Sequence, residues 1–85
     1  MDISKAEQRV LHLLAQGGVV RVEKDATGRI VETHCVTREG WHAPALDLAL
    51  FRKLKRRRMI ASQGGGPYRI TRLGLLRVRA QPDNR

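Results

Sequence analysis

Four side chains of types that bind metal ions stand close together in the middle of the sequence: Glu32, His34, Cys35 and His42. If residues 29–36 form a strand, His34 and Cys35 point to opposite sides of it and cannot bind one ion together without a bulge. The chain also lacks paired cysteines and a His-x-x-x-His spacing, which are the patterns typical of zinc sites. We therefore expect no metal and no cofactor.

The main enzymatic alternative is a small ribonuclease. His12, Glu39 and His42 supply the residue types that general acid–base catalysis uses. Nothing in their spacing along the chain brings them together. A nucleophilic Cys35 would need direct contact with a histidine, and a single cysteine is more often a small buried apolar residue. We therefore expect a protein that is not an enzyme, with ribonuclease activity as the alternative.

The first half of the chain predicts a helix and a β-hairpin. Residues 3–16 carry apolar side chains at helical spacing, and Ser4 with Glu7 forms a capping-box pattern. Two glycines at residues 17–18 end this helix. Residues 19–24 and 29–36 are rich in β-branched side chains and flank a turn, which predicts two paired strands. Residues 37–40 are expected to form either a connecting turn or the end of the second strand.

The second half predicts a basic helix, a second hairpin and a last helix. Residues 44–56 begin with proline, carry an apolar arc and place three cations on the opposite face: Arg52, Lys55 and Arg56. Residues 59–62 and 67–70 flank a glycine-rich tip. Thr71 caps a helix over residues 72–80, which Pro82 ends and whose inner face carries Leu73, Leu76 and Ala80. Tyr68 and Phe51 are expected in the core, and Trp41 either in the core or at an interface.

These elements predict a single α+β domain over residues 1–85 with the order helix–hairpin–helix–hairpin–helix. A basic helix, a hairpin and a further helix resemble the recognition helix and wing of a winged-helix domain. A β-hairpin stands where such domains usually have a second helix. We predict a small winged-helix-like domain.

The charge of the chain is divided unevenly. Residues 1–51 carry six basic and seven acidic side chains, whereas residues 52–85 carry eleven basic side chains and one acidic. This asymmetry favours a polyanionic or acidic partner, either nucleic acid or a protein surface, over solvation alone. The candidate contact residues are Arg52, Lys55, Arg56, Arg69, Arg72 and Arg79. The longest apolar run is four residues and the N-terminus has no signal-peptide pattern, so we expect a soluble cytoplasmic protein without a membrane partner.

Stretches along the whole chain resemble the YjhX-like family of small bacterial proteins. They include Glu7-Gln8-Arg9, Asp25-Ala26, Gly28-Arg29, Cys35, Thr37-Arg38-Glu39-Gly40, Phe51, Lys53-Leu54-Lys55, Pro67-Tyr68-Arg69-Ile70, Gly74-Leu75, Val78-Arg79-Ala80-Gln81 and Asp83-Asn84-Arg85. The resemblance implies the toxin of a toxin–antitoxin pair that inhibits DNA topoisomerase I, with an acetyltransferase-like protein as the antitoxin. It supplies no catalytic or binding residues.

The sequence therefore predicts a non-enzymatic toxin whose basic half contacts DNA topoisomerase I or its complex with DNA. The alternative is a winged-helix transcriptional regulator, in which the same cations would contact DNA phosphates. No Asn or Gln accompanies the arginines on the basic helix, so base recognition would depend on arginine alone and sequence preference would be weak.

Overall fold

Residues 3–79, which the computed structural model describes, form three helices and five strands. The helices are α1 (Lys5–Ala15), α2 (Leu48–Arg56) and α3 (Arg72–Arg79). The strands are β1 (Val19–Lys24), β2 (Ile30–Val36), β3 (His42–Ala43), β4 (Ile60–Ser62) and β5 (Tyr68–Ile70). The α+β class predicted from the sequence is confirmed. None of the helices within these residues is long and apolar enough to cross a membrane.

The five strands form one antiparallel sheet in the order β3-β2-β1-β5-β4. Val20 pairs with Cys35 on one side and with Tyr68 on the other, so these three side chains share a face. Val20 and Cys35 are buried in the same core as apolar residues of all three helices. The helices therefore cover this inner face, and Arg69, next along β5, lies on the outer face.

The predicted winged-helix order is not confirmed, because the order of helices and strands differs. The turn at residues 37–40 is present, with Gly40 at a φ of 95° and the Thr37 amide donating to the Trp41 carbonyl at 2.8 Å. This turn reverses the chain, so that His42 and Ala43 pair with β2 as a third strand before α2.

Helix α2 begins four residues later than predicted. The Asp47 side chain accepts a hydrogen bond from the Leu50 amide at 2.7 Å and caps the helix at Leu48. Pro44 therefore lies before the helix rather than in its first turn. Phe51 and Leu54 are buried, as the predicted arc requires, and the Phe51 ring meets the half-buried Tyr68 ring edge-on with centroids 4.9 Å apart.

The capping box and the first turn are confirmed. Ser4 Oγ accepts from the Glu7 amide, and Glu7 Oε1 accepts from the Ser4 amide at 2.9 Å. The Asp25 carboxylate accepts from the Thr27 and Arg29 amides, which closes the hairpin turn. Cys35 exposes only 1% of its surface, and this burial raises the pKa of its thiol. It therefore packs as a small apolar residue.

The inner face predicted for α3 is wrong. Gly74 and Val78 are the buried residues of this helix, whereas Leu73 and Leu76 face outward. The Thr71 cap is confirmed, since its Oγ1 accepts from the Gly74 amide at 3.1 Å. Ala80 and Pro82 lie outside the described residues. Trp41 is 72% exposed, so it is not part of the core.

Candidate polyanion-binding surface

The six cations predicted as contact residues are all exposed. Three of them, Arg52, Lys55 and Arg56, lie on α2 at spacings of three and four residues, which places them on one helix face. Their partners on the opposite side of the helix, Phe51 and Leu54, anchor it in the core. Burial of the apolar side therefore orients the cationic side toward solvent.

A groove lies between the first hairpin and α2. Its lining includes Arg52 and Lys55 from α2 together with Arg29, which follows the turn at Gly28. Ile30 and Phe51 supply apolar surface in the same groove. Arg29 was not among the residues predicted from sequence, because only the packing of the hairpin against α2 brings it to this groove.

A second groove shares Lys55 with the first. It is lined by Lys55, Arg58, Tyr68 and Thr71 together with strand β4. The Lys55 ammonium lies 5.8 Å from the centre of the Tyr68 ring, within the range of a cation–π contact. Arg58 was also missed by sequence reasoning, and its backbone has a left-handed φ of 61°.

A third groove shares Ala61 and Thr71 with the second and carries Arg69 and Arg72 on its lining. Neighbouring grooves thus share lining residues, and among residues 3–79 no carboxylate lines their walls. We refer to the cations that line them as the basic tract, and they are Arg29, Arg52, Lys55, Arg58, Arg69 and Arg72.

The structure does not place every predicted cation in this tract. Arg56 and Arg79 are exposed but line none of the three grooves. Two further cations of the basic half contact Glu7, since Arg57 Nη1 lies 2.6 Å and Lys53 Nζ 3.7 Å from its carboxylate. The basic residues of the second half are therefore divided between those on the exposed surface and those that pair with Glu7.

The histidines are held in local contacts away from the tract. His12 Nε2 lies 3.3 Å from the side-chain amide nitrogen of Gln16, and His34 Nε2 lies 2.5 Å from a Glu23 carboxylate oxygen. Among residues 3–79, no hydrogen bond or ion pair joins His12, His42 and Glu39. The described structure therefore does not bring together the three residues of the ribonuclease alternative, although His34 is paired with Glu23.

One group of side chains on the outer face of the sheet has ligand atoms close enough to hold a metal ion. It consists of Glu23, Glu32 and His34, whose ligand atoms lie within 4.8 Å of one another. Cys35 faces the core on the other side of the strand, as its position in the sequence predicts. His42 lies beside His34 with ring centroids 5.7 Å apart.

An arrangement of exposed cations in neighbouring grooves can bind and orient anions. Exposed arginines form paired hydrogen bonds with phosphates and carboxylates. The spread of the tract over three grooves fits an extended anionic partner better than a single small ion.

Comparison with known proteins decides what kind of protein carries this surface. Residues 1–85 match the model of the YjhX toxin family, described as "putative toxin of bacterial toxin-antitoxin pair". The chain belongs to this family. A toxin of such a pair implies an antitoxin as its partner.

Three relatives span all or nearly all of the chain. A UPF0386 protein of Chelativorans sp. is 71% identical over 85 residues, which cover all of both chains. Another, from Hyphomonas neptunium, is 63% identical over 84 residues and 99% of each chain. A third, from Caulobacter vibrioides, is 59% identical over the whole chain and 93% of its own length. No solved structure matches the chain.

Proposed function

We propose that this YjhX-family toxin binds and inhibits DNA topoisomerase I, and that it acts by occupying a surface rather than by catalysis. The observation that carries the proposal is the basic tract, whose three grooves share lining residues and, in the described part of the chain, have no carboxylate on their walls. The resemblance of the sequence to YjhX-like proteins supplies the target, and the tract supplies a means of contact.

A DNA topoisomerase offers such a surface two kinds of anionic contact. Its catalytic centre contains acidic side chains, and the DNA that it holds is a polyanion. Arginines that line a groove would engage either one through charge-assisted hydrogen bonds. Because exposed charges are screened beyond about 8–10 Å at ordinary ionic strength, this contact should weaken as salt is raised.

Two observations support action without catalysis. Cys35 is buried with a raised thiol pKa, and the six residues of the tract are all arginine or lysine, so none of them is a general base at neutral pH. A general base must lie within hydrogen-bond reach of the proton that it removes. We also propose that the antitoxin is an acetyltransferase-like protein, as the family resemblance implies.

Binding to purified topoisomerase I after nuclease treatment tests this function. We compare the parent protein with the variant Arg52→Gln/Lys55→Gln, which removes two cations from the first groove. Loss of two central charged contacts is expected to weaken binding about tenfold or more. The matched control is Arg9→Gln/Lys24→Gln, because it removes two exposed cations that lie outside the tract.

Binding to a random DNA duplex is measured alongside, from about 50 to 200 mM salt. Topoisomerase binding that survives nuclease treatment and is lost only in the tract variant supports the proposal. Binding to the duplex alone would instead favour the transcriptional regulator. Helix α2 followed by the β4–β5 hairpin, which carries Arg69, resembles the recognition helix and wing of such a protein. In that case each lost phosphate contact should lower the slope of log affinity against log salt by about 0.9.

A further inference from the structure

Helix α3 carries two leucines that the core does not cover. Leu73 is 36% and Leu76 58% exposed, although the helix belongs to a small domain with few apolar residues to spare. Both leucines lie on the same side of the helix, three residues apart. Large apolar side chains that share an exposed helix face indicate an interaction surface more often than scattered single ones do.

The packing of α3 explains why this face points outward. A Cβ atom at Gly74 would lie 2.5 Å from the Met59 carbonyl oxygen and 2.7 Å from Ile70 Cγ1. Only glycine therefore permits α3 to approach the chain this closely. Since Gly74 and Val78 form the inner side, the leucines are held on the outer side.

Arginines surround the exposed leucines. Arg72 lies four residues before Leu76 and Arg79 three residues after it, so both neighbour Leu76 on the helix surface. Arg72 and Arg79 are exposed, and α3 contains no acidic residue. The face thus combines an apolar centre with a cationic border.

This combination selects among three kinds of occupant. Nucleic acid would pair with the arginines but would leave the leucines without apolar contact. A second copy of α3 would set arginine against arginine in either a parallel or an antiparallel arrangement. A protein helix with leucines on one face and carboxylates beside them complements both features.

We propose that the exposed face of α3 binds an acidic amphipathic helix of the antitoxin. This inference rests on the toxin role proposed above, but it does not depend on the identity of the toxin's target. It assigns different but adjoining surfaces to the two partners, with the antitoxin on Leu73 and Leu76 and the target on the basic tract around α2. Arg72 belongs to both surfaces, so an antitoxin bound here would also reach the end of the basic tract.

A synthetic amphipathic helical peptide with leucines on one face and glutamates at its borders is the probe. Titration into the isotope-labelled protein is expected to shift the amide resonances of residues 72–79 and to leave those of residues 52–56 nearly unchanged. The variant Leu73→Gln/Leu76→Gln should bind the peptide at least about tenfold more weakly. The control Trp41→Gln removes an exposed apolar side chain elsewhere and should bind as the parent does.

Two outcomes would overturn the inference. Equal binding of a peptide in which serines replace the leucines would show that charge alone drives contact. Resonance shifts centred on α2 would place the peptide on the basic tract instead. Because both leucines are exposed, the variant is expected to fold, and the single change Leu76→Gln repeats the test with a smaller perturbation.

Binding to topoisomerase I by the same leucine variant separates this inference from the proposed function. We expect Leu73→Gln/Leu76→Gln to bind topoisomerase I as the parent does while losing the peptide. If this variant no longer bound topoisomerase I but still bound the peptide, the assignment of α3 to the antitoxin would be contradicted. If the parent binds the peptide on α3 but does not bind topoisomerase I, only the proposed target is wrong.

Discussion

Arg58 has a backbone conformation that glycine usually adopts. It follows the last turn of α2 with a φ of 61°, and the Met59 amide donates to the Leu54 carbonyl at 3.0 Å while the Arg58 amide donates to the Lys55 carbonyl. This pattern is the Schellman motif, in which a glycine normally stands at the left-handed position. A non-glycine residue there costs about 1–2 kcal/mol, so the arginine lowers the stability of the fold.

The position of Arg58 on the basic tract gives a reason for that cost. We expect Arg58→Gly to raise the free energy of unfolding by up to about 1 kcal/mol, since relief of the left-handed strain exceeds the greater flexibility of glycine in the unfolded chain. The same change should weaken binding to topoisomerase I about fivefold, because one charged contact is lost. Urea denaturation and a binding titration measure the two effects.

Arg58→Ala is the matched control for this residue. It removes the charge and keeps a Cβ atom in the left-handed conformation, so it should weaken binding without stabilising the fold. If Arg58→Gly binds topoisomerase I as tightly as the parent protein, Arg58 has no part in the contact.

At the scale of the elements, the sequence predicted correctly those helix caps and turns that depend on contacts between neighbouring residues. The capping box at Ser4 and Glu7, the turn at residues 25–28 and the Thr71 cap are hydrogen bonds between near neighbours in the chain. Their residue types can therefore be recognised in the sequence. The start of α2 was misplaced because Pro44 and Asp47 both suit a helix start, and the Asp47 side chain makes the capping hydrogen bond.

Contacts between elements could not be predicted from these local patterns. The bulky leucines of α3 predicted its inner face, but the close approach to Met59 and Ile70 requires glycine there and turns Leu73 and Leu76 outward. Likewise, the basic face of α2 was predicted from helical periodicity alone. Arg29 joins it from a different hairpin, and no local pattern indicates that meeting.

A buried ion pair fastens α1 to the end of α2. Glu7 exposes 1% of its surface, and its carboxylate faces Arg57 at 2.6 Å and Lys53 at 3.7 Å. Burial alone would raise the pKa of Glu7. Hydrogen bonds from Ser4 and the Arg57 guanidinium outweigh this effect, so the pKa is lowered from its ordinary value of 4.5.

The lowered pKa of Glu7 makes the stability of the fold depend on pH. Stabilisation by the carboxylate is complete above 4.5, the ordinary value, and is lost as the pH falls through the lower pKa of the folded state. We expect Glu7→Gln to lower the free energy of unfolding by about 3 kcal/mol at neutral pH. The difference from the parent protein should shrink at acidic pH, as urea denaturation at several pH values would show.

Glu39→Gln serves as the control for the Glu7 ion pair. Glu39 is exposed in the turn after β2, so its substitution should change the free energy of unfolding by less than about 0.5 kcal/mol. A constant difference between Glu7→Gln and the parent down to strongly acidic pH would contradict the role given to the carboxylate.

At the scale of the whole molecule, the two halves of the chain have different tasks. The N-terminal half, with nearly balanced charge, supplies α1, the longest strands and Glu7, the acidic partner of the buried ion pair. The C-terminal half holds ten more basic than acidic side chains (eleven against one) and supplies most of the basic tract. Together they give the basic tract, which we propose contacts topoisomerase I, and the apolar face of α3, which adjoins the tract at Arg72.

Relaxation of supercoiled DNA by topoisomerase I tests the central proposal most directly. Inhibition by a binding protein should rise with the ratio of toxin to enzyme, reach its limit near equal amounts, and stay the same however long the two are incubated beforehand. The variant Arg52→Gln/Lys55→Gln should require about tenfold more protein, and Arg9→Gln/Lys24→Gln should match the parent. Inhibition by far less toxin than enzyme that grows with incubation time would show catalysis, and equal inhibition by both variants would exclude the basic tract as the contact surface.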